Sequence, residues 1–158
     1  LFGLELSKEK TRILPFGRNS VSRETFDFLG FTHFNSKTRK GYYSVGHKIS
    51  RKKKKQFKSN LKKWVKENRN TQLDEFMKAL NKKLTGSFNY YSLSGMIREI
   101  KCLWYHSLFV TFKWLNRRSQ RRSFKMERFC EIWNARIIRP YIHVDIWSGD
   151  KVIYNKNV

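Results

Sequence analysis

Along the chain the spacing of apolar residues changes once. Up to about residue 48 it is short, alternating and broken by turn formers, and from Ser50 onward it settles into helical steps of three and four. In the first part Leu4-Glu5-Leu6 runs into the polar turn Ser7-Lys8-Glu9-Lys10. Thr11-Arg12-Ile13-Leu14 then reads as a short strand stopped by Pro15 and Gly17. Phe26 to Phe34 predicts the strongest strand. Phe26, Phe28 and Phe34 fall in one alternation register and Leu29 and Phe31 in the other, so both faces are expected to be buried except near Thr32. Asn35 to Gly41 is a polar turn, and Tyr42-Tyr43-Ser44-Val45 is expected to return as the antiparallel partner.

The second part predicts four helices. Phe57, Leu61, Trp64 and Val65 form one apolar stripe, and the other faces of that helix carry Lys52–Lys55, Lys58, Lys62, Lys63 and Lys66. Thr71 with Asp74 three residues on marks an N-cap, and Leu73, Phe76, Met77, Leu80 and Leu84 carry a second helix to Gly86. An aromatic turn, Phe88-Asn89-Tyr90-Tyr91, is expected to follow. Gly95 opens a third and longest helix with Ile97, Ile100, Leu103, Trp104, Leu108, Phe112 and Leu115 at helical intervals. Ser123 starts a fourth, striped by Met126, Phe129, Cys130 and Trp133. After Pro140, Tyr141–Trp147 alternates like a short terminal strand ahead of a polar tail. The fold class is therefore α+β, with short antiparallel strands over residues 1–48, a mainly helical bundle over 49–143 and a tail over 144–158.

Charge changes what these helices are for. The 158 residues hold 35 Lys+Arg against 12 Asp+Glu, a formal charge of +23, and self-repulsion of that size points to a polyanionic partner. Nucleic acid leads over an anionic membrane surface, because no run of about 18 apolar residues spans a bilayer and no lipidation signal accompanies an amphipathic stretch. The densest block, Lys113 to Arg122, holds Lys113, Arg117, Arg118, Arg121 and Arg122 with one tryptophan, Trp114, which could belong to the core stripe, and no acid among them. Arginine's planar fork suits phosphate and base contacts. Lys52, Lys53, Lys54, Lys55, Lys62, Lys63, Lys82 and Lys83 are further candidate RNA contacts, although a lysine run also reads as a solvated helix face. Asn89, Tyr90 and Tyr91 are further candidate RNA contacts, the two tyrosines by stacking on unpaired bases or equally serving to close the bundle. Leu115 is assigned to the core.

Catalytic chemistry is sparse. The adjacent acids Asp74-Glu75 sit where a helix N-terminus favours negative charge, and no phosphate loop, Ser-His-Asp set or Cys-His set is visible. His33, His47, His106 and His143 have no ligand spacing, so no metal site is expected. Cys102 and Cys130 read as reduced core residues, in keeping with a cytoplasmic protein. The chain opens on Leu1 inside an apolar-polar pattern and reads as a piece of something longer.

Four segments in order resemble the group II intron-encoded reverse transcriptase/maturases. They are Gly3–Ile13 (Gly-Leu-Glu-Leu-Ser-Lys-Glu-Lys-Thr-Arg-Ile), Phe26–Phe31 (Phe-Asp-Phe-Leu-Gly-Phe), Leu80–Tyr91 (Leu-Asn-Lys-Lys-Leu-Thr-Gly-Ser-Phe-Asn-Tyr-Tyr) and Lys113–Arg118 (Lys-Trp-Leu-Asn-Arg-Arg). The resemblance, which covers residues 1 to about 143, implies that the first part is the end of the polymerase palm and the helical part is the thumb, or maturase domain. It implies that Lys10 is a nucleotide-proximal lysine with a possible general-acid role, and that Phe28, Leu29, Gly30 and Phe31 form the primer grip. It further implies group II intron RNA and an RNA/DNA primer-template as partners. The family's Tyr-x-Asp-Asp motif is not in this sequence, so RNA-directed DNA polymerase activity and its magnesium are expected of the intact protein and not of these residues. A bacterial cytoplasm, or an organelle, is the expected location. A general basic nucleic-acid-binding or ribosome-associated protein is the rival reading, which explains the charge but not the ordered motifs.

Overall fold

The computed structural model describes residues 11, 13–20, 24–118 and 123–144. Three strands, β1 (Thr25–Phe28), β2 (Phe31–Lys37) and β3 (Tyr43–Ile49), precede four helices, α1 (Arg51–Asn68), α2 (Leu73–Tyr90), α3 (Ile97–Leu115) and α4 (Met126–Arg136). The strands form one antiparallel sheet in the order β1-β2-β3, and the α+β class expected from the pattern is what the chain adopts. Two compact units divide the chain, residues 1–47 and 48–158.

In the first unit the expected single strand over 26–34 is two strands. β1 and β2 pair with Phe28 opposite Phe31, and the chain reverses through Leu29 at φ 48° and Gly30 at φ 84°. Positive φ at both central residues is the geometry that matches the twist of a two-residue hairpin. Phe28 and Leu29 are accordingly exposed at the tip, while Phe31 and Thr32 are buried. Thr32, expected at the open position, is instead covered, and its hydroxyl donates to the Asp27 carboxylate directly across the hairpin. On β3, Gly46 makes room for the Phe34 ring, and a Cβ there would stand 2.4 Å from ring carbons. Ile13 and Leu14 lie in irregular chain with Ile13 fully exposed, because the stretch before Pro15 finds no ladder partner among the described residues. The expected strand around Leu4–Leu6 lies outside the described residues.

The second unit is a helical bundle whose stripes are those the periodicity predicts. Ser50 caps α1, its hydroxyl accepting from the Lys53 amide, and Leu61 and Val65 are buried beside the half-buried Phe57 and Trp64. The α2 stripe is Phe76, Met77, Leu80, Leu84 and Phe88. Two expectations fail here. Gln72 occupies the N-cap with no side-chain cap bond, and the helix runs through Gly86 to Tyr90, turning the expected aromatic turn into its last turn. Phe88 stands one helical turn beyond Leu84 and is equally buried, so packing outweighs the weak helix propensity of Gly86. On α3 the buried line is Ile100, Leu103, Trp104, Ser107, Leu108, Thr111 and Leu115. This line leaves Cys102 exposed and not in the core; Cys130 on α4 is half-buried, and both thiols are free. Phe129 and Trp133 of α4 close the bundle, with Trp133 meeting Trp104 edge to face at 5.7 Å.

Two side chains tie the loops down. Asn116 accepts from the Phe124 amide at 2.7 Å and donates to the Phe124 carbonyl at 3.2 Å, pinning the two ends of the α3–α4 connection together. Ser92 donates to the Tyr141 carbonyl at 2.7 Å and accepts from the His143 amide at 2.6 Å. Of the expected terminal strand over Tyr141–Trp147, the described residues 141–144 form one parallel bridge, between Leu93 and Val144, and residues 145–158 lie outside the described part.

Candidate nucleic-acid interface

The interface begins with the charge on α1. Arg51, Lys52 and Lys53 crowd its first turn and no acid stands there, although the positive end of a helix dipole disfavours cations by a few tenths of a kcal/mol each. Helix stability does not account for them, whereas an anion at that end would. Lys54 differs from its neighbours because its ammonium is paired with Glu99 of α3. Lys52, Lys53, Lys55, Lys62 and Lys63 are all exposed.

At the other end of α1 three cations gather on one indole. The Trp114 ring centroid lies 5.3 Å from the Arg117 guanidinium carbon, 5.6 Å from that of Arg69 and 5.9 Å from the Lys66 ammonium. Each cation–π contact at an exposed site stabilises by about 0.5–1 kcal/mol. Coulomb repulsion among the three like charges opposes these contacts and leaves a local excess of positive potential. A phosphate among the three would turn the repulsion into attraction. The cluster exists because α1 and α3 run side by side, bringing the ends that carry Arg69 and Arg117 together as the Lys54–Glu99 pair ties their beginnings.

The remaining candidates fall into three groups. Lys82, Lys83 and Lys113 are exposed, with Lys83 reaching to 5.8 Å from the Trp64 ring. Arg118 is partly committed, its Nε donating to the Leu115 carbonyl and its guanidinium lying 5.8 Å from the Phe124 ring. Arg121, Arg122 and Lys10 lie outside the described residues. Of the aromatic pair, Tyr90 is 54 % exposed and Tyr91 only 9 %, so the ring offered to solvent is Tyr90's. Burial first, and the neighbouring Tyr90 second, push the Tyr91 phenol above its ordinary value and keep it protonated. Asn89 is exposed and bonds the His143 ring at 2.8 Å. The sequence reading missed Lys66, Arg69 and the central role of Trp114. The signal for them was the single Trp inside the Lys113–Arg122 block, but its partners on α1 are visible only once the helices are packed.

Residues 54–133 match the family model described as Group II intron, maturase-specific domain. The chain belongs to the group II intron maturase family. The match starts in the basic first turn of α1 and ends at the buried Trp133 of α4, so the maturase domain is the helical bundle. Comparisons with curated proteins and with solved structures returned no match. No helix among the described residues of this maturase domain and its preceding strands is long and apolar enough to cross a membrane. Among the described residues no group of three or more His, Cys, Asp or Glu side chains stands together that could hold a metal ion.

Proposed function

We propose that the maturase domain binds its intron RNA through the exposed cations of α1, the end of α2 and the end of α3, and so assists splicing. The observation that carries this reading is the face of α1: Lys55, Lys58, Lys62, Lys63 and Lys66 lie within the family-matched span with Glu67 as the helix's sole acid. RNA neutralises such a face phosphate by phosphate and gains by counterion release. The test is a binding titration of the 158-residue chain against a group II intron RNA and an unrelated structured RNA of equal length. Between about 50 and 200 mM salt, log affinity is expected to fall against log salt with a slope of about 0.7–0.9 per phosphate contacted, with the intron RNA held more tightly throughout. Affinity indifferent to salt would refute the electrostatic contact, and equal affinity for both RNAs would favour the general basic binder instead.

A second reading concerns the first unit. In an intact reverse transcriptase, the tip at Phe28, Leu29, Gly30 and Phe31 serves as the primer grip, and the helical unit holds the primer-template. Two features support it: Leu29 keeps a left-handed backbone that costs a branched residue about 1–2 kcal/mol, and both Phe28 and Leu29 face solvent. Magnesium and the aspartates that hold it would be supplied by other residues of such an enzyme. A Leu29→Asn variant relieves the backbone and removes one of the two exposed apolar side chains of the tip; greater stability with weaker primer extension in the intact enzyme is the expected pair of results.

A further inference from the structure

A groove of about 320 Å³ opens between the first half of α1 and the last turn of α2. Its walls combine three kinds of group. Tyr90 presents an exposed ring, held edge to face against Tyr91 at a centroid distance of 4.9 Å. Gln56 and Asn60, one helical turn apart on α1, are exposed amides, and each offers donors and an acceptor. Lys53 supplies an exposed cation, and half-buried Phe57 with buried Tyr91 adds apolar surface.

We propose that this groove receives one unpaired nucleotide of the bound RNA, with its base stacked on Tyr90, its edge met by Gln56 and Asn60, and its phosphate by Lys53. The inference rests on the RNA-binding reading above and specifies what one part of that surface recognises. Its volume lies at the lower end of the range of small-ligand sites, the size of a single nucleotide. Neutral amides beside a flat ring suit a base, whose edge carries donors and acceptors without charge; an acidic peptide would call for more than one cation here. Recognition of splayed-out bases by aromatic stacking and edge hydrogen bonds is how RNA sequence is read outside helices.

The test compares two RNA hairpins of the same stem, one fully paired and one carrying a single unpaired 2-aminopurine. The 158-residue chain and its Tyr90→Phe, Tyr90→Ala and Gln56→Ala variants are used, with circular dichroism confirming that each is folded. The parent chain and Tyr90→Phe are expected to quench the 2-aminopurine. Tyr90→Ala is expected to abolish the quenching and weaken binding of the bulged hairpin by about 5- to 100-fold, while leaving the paired hairpin unaffected. Gln56→Ala is expected to weaken the bulged hairpin several-fold. If Tyr90→Ala binds both hairpins like the parent, or loses the same factor on both, the nucleotide site is wrong and RNA binding stands. If the parent chain binds neither hairpin, both readings fall.

Discussion

At Gly46 of the sheet a single added methyl group meets its neighbour. The Phe34 ring occupies the space a Cβ would need, at 2.4 Å, so Gly46→Ala forces the ring or the strand to move. Overpacking of this kind costs about 1–3 kcal/mol, and the chain is expected to unfold at a lower urea midpoint with an unchanged slope. An unchanged midpoint would mean that Phe34 finds another rotamer without loss. Two imidazoles carry a pH dependence. His47 is held below the ordinary histidine value first by burial and then by His33, and His106 first by burial and then by Lys58. Because both folded values are depressed, the unfolded chain takes up protons that the folded chain refuses. Their contribution to stability is complete above pH about 6.5 and declines as the pH falls through that value. Thermal unfolding is therefore expected to move to lower temperature between about pH 7.5 and 5.5, and His106→Gln to flatten part of that slope. A melting temperature that rises on acidification would contradict the assignment.

Among the elements, the convergent ends of α1 and α3 are where the sequence alone runs out. Lys66→Gln and Arg69→Gln each remove one cation from the Trp114 cluster. They are expected to weaken RNA binding several-fold irrespective of sequence and to make the salt dependence shallower by about one phosphate each, as read from affinities across salt. A loss of affinity with an unchanged salt slope would assign these residues a packing role. The α1 and α3 stripes were legible because Phe57, Leu61 and Val65, or Ile100, Leu103 and Trp104, recur at the helical period and nothing interrupts them. The hairpin at Leu29-Gly30 was not, since a leucine at a position that favours Asn, Asp or Gly makes two short strands read as one apolar run. The continuation of α2 past Gly86 depends on the burial of Phe88, which is a tertiary fact. For the interface, exposed lysines were legible as charge, but the pairing of Lys54 with Glu99 and the gathering of Lys66, Arg69 and Arg117 on Trp114 depend on which helices lie side by side. Tyr90 and Tyr91 are adjacent and alike in sequence, and only packing separates the exposed ring from the buried one.

For the molecule as a whole, a formal charge of +23 sets the terms. Lys54–Glu99, Arg136–Asp74 and the exposed Arg128–Glu131 pair engage three of the cations, but the net charge already counts every acid, so these pairs leave the excess untouched. Exposed pairs such as the last contribute little to stability, and the excess charge opposes compaction by self-repulsion. In this maturase domain Asp74, Glu99 and Glu131 pair with cations, Cys102 and Cys130 are free thiols, and exposed lysines line the helices that the family match covers. The most direct measurement is a map of ultraviolet crosslinks between the 158-residue chain and a group II intron RNA, read out by mass spectrometry of the adducted peptides. Adducts are expected in residues 51–69, 82–90 and 113–118, with Tyr90 and Trp114 among the modified aromatics. Adducts confined to the β-strands, or on the helical unit only outside those three segments, would contradict the account.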